Sequence, residues 1–310
     1  MRLAAALATV YIVWGSTYLG IAVAERALPP LLMLSIRFLV AGVLLYVWAR
    51  RRGEVAVERP GRREWGAAAL VGFLLLVVET GAVAFAEKHV PTGLAALIVA
   101  SVPLFMLVID RVFFGVRISL LAGAGILAGF LGVGLLAGGG SGSVDPLWAL
   151  VLVGGALVWA GGSAYARVAP LPQASILSAA MQMLTAGLML GVVAVAKGDV
   201  SHVHPSAFSF TSVGTTAYLV GAGSILAYTS YGWLLRNAAT ALVSTYAYVN
   251  PAVAVLLGWA FAGEHLGARE AVAGVVVVAS VALILVSRAP APATVVQLPR
   301  RAAATERAAA

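Results

Sequence analysis

Apolar residues in this chain come in long unbroken runs separated by short polar connections. Crossing a hydrocarbon layer of ~30 Å takes about 20 helical residues, with a working range of about 17–25. Ten runs meet that length: 3–24, 31–48, 65–86, 92–109, 119–137, 147–166, 175–196, 213–235, 240–262 and 271–287. They lack the strict polar alternation of a barrel strand, and lipid cannot satisfy a strand's free backbone groups, so the runs predict helices. The pattern therefore predicts an all-α integral membrane protein with ten transmembrane helices.

Composition agrees and excludes other classes. The 310 residues are 62% hydrophobic and 10% charged, where soluble domains are about a quarter charged. Mean hydropathy is +1.00. A disordered chain, a coiled coil and a DNA-binding domain are excluded, and no nucleic-acid partner is expected despite the net charge of +8. Without cysteine, disulfides and thiolate chemistry do not arise.

The net charge is topogenic. Arg2, the arginines of the 49–64 connection, Arg111, Arg117, Arg167, Arg236 and the arginines after 287 all fall on one side of a ten-span topology. Only Arg26, Lys88, Lys197 and Arg269 fall on the other. The positive-inside rule then puts both termini in the cytoplasm of a cell-membrane protein. Arg2, the apolar run after it and Ala22-Val23-Ala24 mimic a signal peptide. The run is longer than a signal's apolar core and has an internal counterpart, so it is taken as an uncleaved first span. Residues 288–310 mix Ala, Pro and Arg without a period and read as a disordered cytoplasmic tail.

The counterpart belongs to a repeat. An offset of 145 superposes Trp14 on Trp159, Leu39 on Leu184, Ala41 on Ala186 and Gly42 on Gly187. An offset of 148 superposes Thr92 on Thr240, Leu94 on Leu242, Pro103 on Pro251, Phe113 on Phe261 and Gly115 on Gly263. Each half, 3–137 and 147–287, then holds five helices. Five being odd, the halves cross the membrane in opposite senses: two inverted five-helix repeats, an arrangement that secondary transporters use around a midplane site.

Several motifs carry a family resemblance. They are Val13-Trp14-Gly15-Ser16-Thr17-Tyr18, Leu28-Pro29-Pro30 with Arg37-Phe38, and the stretch from Gly93 to Leu97 followed by Val102-Pro103 and Phe105. The strongest runs from Ala227 through Tyr231 and Thr245 to Pro251, ending at Gly263-Glu264. With them the chain resembles the EamA-type permeases of the drug/metabolite transporter superfamily over roughly 3–287. The resemblance implies a transporter of amino acids, other small metabolites or drugs. The Gly-Glu such permeases often show after the fourth helix is Gly115-Val116 here, leaving that carboxylate only as Glu264.

Candidate site residues fall into three groups. Pro103 and Pro251 sit midway along the fourth and ninth spans and each frees a carbonyl. Paired discontinuities of this kind point to a transporter's binding site. Ser101, Tyr246, Tyr248 and Asn250 surround them; the alternative is that the prolines only kink packed helices, with Asn250 as interhelical glue. Trp14 and Trp159 lie mid-span, away from the interfacial belts where Trp gathers. With Tyr18, Tyr228 and Tyr231 they form either a cavity wall or interhelical packing. Arg37 and Glu79 are the charges inside the spans, both about 10 Å below one membrane boundary. They read either as a structural ion pair or as a proton-exchanging or gating pair, since either alone costs several kcal/mol in lipid. In the repeat Gln182, itself a cavity candidate, stands for Arg37 and Ala227 for Glu79, so the pair breaks the pseudo-symmetry.

Gly125, Gly129 and Gly132 permit close helix approach, within the chain or at a homodimer face. His89, His202, His204 and His265 all lie outside the spans; neither a metal site nor a bound cofactor is expected. There is no phosphate-cradling Gly-Lys-Ser/Thr loop and no intramembrane protease signature. The sequence therefore predicts a non-enzymatic secondary transporter that exports small organic metabolites such as amino acids by alternating access. Its partners are a small-molecule substrate and the bilayer. The alternatives are a multidrug exporter, an uptake permease, and a non-transporting membrane binding or sensor protein.

Overall fold

A computed structural model describes residues 2–25, 28–86, 89–90, 95, 98–137, 146–203, 208–262 and 268–287. The connector 138–143, His204, His265, Glu264 and the tail 288–310 lie outside the described residues. Among those described, every regular element is helical. In chain order they are α1 (Arg2–Ala24), α2 (Pro30–Arg51), the short α3 (Glu54–Glu58), α4 (Arg62–Ala86), α5 (Val102–Phe113) and α6 (Leu120–Ala137). There follow α7 (Pro146–Val168), α8 (Ser175–Ala196), α9 (Phe210–Asn237), α10 (Thr240–Val243), α11 (Tyr246–Ala262) and α12 (Ala268–Val286). Five of them, α2, α4, α7, α8 and α9, are long and apolar enough to cross a membrane among the described residues.

Helix ends follow local chemistry. Pro30 opens α2, where a missing amide costs nothing. Glu64 reaches back to the amide of Gly61 (2.8 Å) to start α4, and Ser209 and Ser212 cap α9 reciprocally at 3.1 and 2.9 Å. Two long helices carry an internal irregularity. α4 widens into a π turn at Phe73–Glu79, and α9 does so at Leu219–Tyr228. The offset of 148 carries 73–79 onto 221–227, so the π turns occupy repeat-related positions.

The proline expectation needs correction. Pro103 is not mid-helix: α5 begins at Val102 after a turn at 100–101, and Pro103 lies in its first turn. There its absent amide has no intrahelical partner to lose. The ninth span does break, but at 244–245 between α10 and α11, and Pro251 sits inside α11. Among the described residues the paired discontinuities are the π turns of α4 and α9; 96–97, the counterpart of the 244–245 break, lie outside those residues.

Small residues set the packing. A Cβ on Gly42 would come 2.9 Å from Leu184, and one on Gly187 would come 2.8 Å from Leu39. Gly191 likewise meets Ser35, whose hydroxyl donates to the carbonyl of Gly187 (2.9 Å). As residue numbers rise on α2 they fall on α8, so these repeat-related helices run antiparallel and lock by exchanging the same glycine–leucine contact. α6 and α12 also run antiparallel in close contact, here with the glycines on α6 alone: Gly125 lies against Ile284 and Gly132 against Val277. Gly129 makes room for the ring of Tyr248, which a Cβ there would approach to 2.6 Å. The glycine face of α6 is thus consumed inside the chain, which leaves no basis for a homodimer through it.

This packing makes a prediction. Gly187→Ala puts a methyl into Leu39 and its backbone nitrogen; overpacking of this kind costs about 1–3 kcal/mol. Gly154→Ala and Gly161→Ala add a methyl that meets nothing within 4 Å. The thermal midpoint in detergent should fall for Gly187→Ala and hold or rise for the two controls.

Candidate functional site

The helices enclose a cavity of about 120 Å³ lined by α1, α2, α4, α7, α8, α9 and α11. Its wall includes Trp14, Thr17, Arg37, Glu79, Thr80 and Asn250, with Trp159, Met183, Ser224, Tyr228 and Tyr246 completing it. Both intramembrane charges face this one space. Burial of a guanidinium among apolar helices demands hydrogen bonding. Arg37 is 6% exposed, and its Nε donates to Ser224 Oγ at 2.7 Å. Gly223 makes room for it, since a Cβ there would lie 2.8 Å from an Arg37 nitrogen. On the other π turn, Thr80 donates to Leu75 O (3.2 Å) and Glu79 Oε2 (3.3 Å). The two π turns therefore present the carboxylate and the partner of the guanidinium to the same cavity, and π turns recur at functional sites.

Trp14, Trp159, Tyr231 and Tyr246 form one aromatic cluster beneath the charges. Trp14 lies 5.7 Å from Trp159, 5.1 Å from Tyr231 and 5.1 Å from Tyr246 between ring centroids. Polar tips are satisfied: Trp14 donates to Gly223 O (3.2 Å), Trp159 to Tyr231 Oη (3.0 Å), and Tyr231 Oη lies 2.7 Å from Ser163 Oγ. Asn250 is buried with one end of its amide 3.1 Å from Tyr246 O and 3.2 Å from Tyr11 O; two carbonyls there require a donor, which assigns that end as the nitrogen. It therefore ties α11 to α1 while lining the cavity.

Other expected residues lie elsewhere. Tyr248 packs on Gly129 in a separate apolar cluster with Ala100, Ile126, Val277 and Ile284. Two residues along a helix turn a side chain by about 200°, so Tyr246 and Tyr248 cannot share one wall. Gln182 is not on the cavity wall; it accepts from Tyr228 (2.6 Å), donates to Ser178 (3.0 Å) and lines a small adjacent void with Tyr231. Ser101 turns its hydroxyl back to Ile98 O (2.6 Å). Pro103 and Pro251 lie off the cavity wall, and Pro103 lines a pocket nearer the arginine-rich end. The side chain of Tyr18 lies outside the described residues.

That arginine-rich end is clamped by contacts sequence reading missed. Arg167, at the end of α7, pairs with Asp110 of α5 through both carboxylate oxygens and donates to Thr240 of α10 at 2.6 Å. Its guanidinium also sits 4.3 Å from the Phe114 ring. Glu58 accepts from the amides of Gln173 and Ala174, both at 2.6 Å, and so tethers α3 to the start of α8. Arg236 adds bonds to Pro172 O (2.9 Å) and Ser175 Oγ (2.7 Å). Arg167 and Arg236 border spans and so read from sequence as topogenic only, while Asp110 and Glu58 carry no signal there. At the opposite end Lys197 Nζ lies 4.6 Å from the Phe85 ring. Cavity residues crowd toward that end: Ile21 and Val83 each sit within about 5 Å of a helix terminus there. The aromatic cluster and the Arg167 clamp lie on the arginine-rich side of the cavity.

A helical chain with membrane-length helices and both intramembrane charges on the wall of one cavity has the architecture of a membrane transporter. The chain belongs to the EamA-like transporter family, whose model matches residues 2–138 and again 146–286. It is 41% identical over 295 residues, 95% of this chain and 94% of the relative, to the uncharacterized inner membrane transporter YedA of Escherichia coli (strain K12). It is 26% identical over 251 residues, 80% of this chain and 81% of the relative, to a probable terminal-alkyne amino-acid exporter of Streptantibioticus cattleyicolor. A crystal structure covering 91% of this chain and 95% of its own matches with a TM-score of 0.75 at 19% identity, which bears on the fold alone.

The clamp is testable for stability. Removing one member of a buried ion pair costs about 3–5 kcal/mol because the other is left uncompensated. Asp110→Asn and Arg167→Gln should each lower the thermal midpoint, and the double variant should fall by less than the sum. Additive effects would mean the two side chains are not coupled.

Proposed function

We propose that the protein exports small zwitterionic metabolites of the amino-acid class by alternating access. One observation carries this reading: a guanidinium and a carboxylate, Arg37 and Glu79, line one cavity over an aromatic floor. Arg37 receives the substrate carboxylate, Glu79 its ammonium, and Trp14 with Tyr246 the apolar remainder. Antiparallel packing of α2 on α8 and of α6 on α12 supports two inverted five-helix halves, with the arginine-rich end in the cytoplasm. The printed description of the YedA relative supports an inner-membrane location, and that of the Streptantibioticus relative supports an amino-acid cargo.

In this mechanism the halves rock about the cavity. The cavity faces the end opposite the arginines while the Arg167–Asp110–Thr240 clamp and the aromatic floor close the cytoplasmic side. Loading from the cytoplasm requires the clamp to part, and release follows when it reforms. Substrate charges substitute for the water and hydroxyls around Arg37 and Glu79, so neither charge crosses the bilayer bare. Glu79 is also the carboxylate to exchange a proton if transport is driven by a proton gradient.

The test is counterflow in proteoliposomes with amino acids and cationic drugs, with and without a pH gradient. Saturable amino-acid counterflow is expected, with a loss of at least about tenfold in Arg37→Gln and Glu79→Gln at normal membrane expression, equal to about 1.4 kcal/mol. Flux of drugs alone would favour a multidrug exporter. Wild-type rates in both variants would overturn the assignment of the charges.

A further inference from the structure

Two repeat-related side chains hold the π turn of α9. The offset of 145 carries Arg37 of α2 onto Gln182 of α8. Arg37 Nε donates to Ser224, and Gln182 accepts from the Tyr228 hydroxyl at 2.6 Å, four residues further along the same π turn. The guanidinium lies on the cavity wall; the amide does not. Tyr228 belongs to both spaces: it lines the cavity and also the void of about 20 Å³ behind it, where Gln182 and Ser178 sit. The amide nitrogen of Gln182 donates to Ser178 (3.0 Å), which turns its oxygen toward Tyr228. The phenol therefore donates, and its hydroxyl points out of the cavity. What Tyr228 shows the cavity is its ring.

Other neutral polar groups on the wall are likewise bonded within the protein. Thr17 donates to Trp14 O (2.7 Å), Trp14 to Gly223 O, and Thr80 to Leu75 O. Trp159 and Tyr246 both hydrogen-bond the Tyr231 hydroxyl, and the nitrogen of Asn250 faces two carbonyls. Between these groups the wall is apolar, with Phe38, Leu76, Val83, Val99 and Met183. A zwitterion finds two charges there for its head groups, while its side chain meets rings and alkyl groups. A cargo hydroxyl would give up its bonds to water among side chains already bonded to one another, which weakens binding.

We propose that Gln182 determines specificity without touching the cargo. By holding the Tyr228 hydroxyl outside the cavity it keeps that wall apolar, and so favours zwitterions with apolar side chains over their hydroxylated isosteres. Gln182 is a positioning residue, acting through Tyr228. Arg37 gives one repeat a charged contact with the cargo; its counterpart in the other repeat makes a neutral contact with α9 alone. Removing that acceptor leaves the Tyr228 hydroxyl unpaired beside the cavity, free to serve a cargo hydroxyl. The inference rests on the amino-acid reading above and adds which side chains are taken.

The isosteric pair L-valine and L-threonine, a methyl exchanged for a hydroxyl, reads this selectivity in proteoliposome counterflow. Wild type should show a half-maximal concentration about tenfold lower for valine, since an apolar site rejects a hydroxylated isostere by up to about a hundredfold. Gln182→Met and Gln182→Leu both remove the acceptor. Each should shrink the ratio at least about threefold, chiefly by lowering the value for threonine, because a freed donor can then pair with its hydroxyl. Adding Tyr228→Phe to either should restore the wild-type ratio, and Gln182→Glu, which keeps an acceptor oxygen, should hold it. A residue that only packs α8 against α9 would shift both concentrations together. An unchanged ratio in the Met and Leu variants would therefore overturn the inference, as would failure of Tyr228→Phe to restore it. Equal values in wild type, or counterflow of polar amino acids alone, would also overturn it while the amino-acid reading stands. No counterflow of any amino acid would overturn both.

Discussion

A guanidinium inside an apolar bundle must be hydrogen-bonded and given polar surroundings, and the architecture around Arg37 follows from that requirement. A lone arginine at the centre of a membrane helix costs about 2.5–3.5 kcal/mol on insertion scales. Here Ser224 accepts from Nε, Gly223 withholds a side chain so that the guanidinium fits, and the cavity supplies the remaining polar wall. Ser224 and Gly223 reach Arg37 from the π turn of α9. The matching π turn of α4 carries Glu79 at its end. The charged site thus depends on two local departures from α-helical geometry at equivalent places in a duplicated chain.

The scaffold that holds those turns is close-packed in a particular way. Exchanged contacts of Gly42 with Leu184 and Gly187 with Leu39 bring the second helices of the two repeats together. In lipid no hydrophobic force draws helices to one another, so small residues and shape complementarity do that work. Such an interface is stiff along its length and leaves rearrangement to the helix ends. Polar contacts concentrate there: Arg167 with Asp110 and Thr240, Glu58 with the start of α8, and Lys197 with Phe85. A rigid spine with breakable end contacts suits motion of two halves about a fixed site.

Much of the fold was legible in the sequence because membrane helices are written as long apolar runs. Run lengths led to helices of membrane length at α2, α4, α7, α8 and α9, while the described helix of the fourth run begins only at Val102 and the ninth run is broken at 244–245. Arg37, Glu79, Trp14 and Trp159 emerged as residues out of keeping with lipid or with the interfacial belts. Tyr248 was misassigned because proximity to Asn250 along the chain was read as proximity in space. The prolines were over-read: a proline in a helix's first turn and one in its interior look alike in sequence, and neither faces the cavity. The π turns left no mark of their own: Glu79, Gly223 and Ser224 stand out from the apolar pattern in Phe73–Glu79 and Leu219–Tyr228, but none of these residue types signals a widened helical turn. Arg167 and Asp110 were hidden by their positions at span ends, where a charge ordinarily needs no partner.

The central claim is that one cavity, bounded by Arg37 and Glu79, opens in turn to the two sides of the membrane. The chain has no cysteine, so a Thr80→Cys variant carries a single thiol, on the cavity wall. Labelling that thiol with a membrane-impermeant maleimide, in right-side-out and inverted vesicles, reads access directly. The account predicts reaction from the face opposite the arginine-rich end in the absence of substrate, and from the arginine-rich face once a transported amino acid is supplied. Reaction confined to one face under every condition would contradict it.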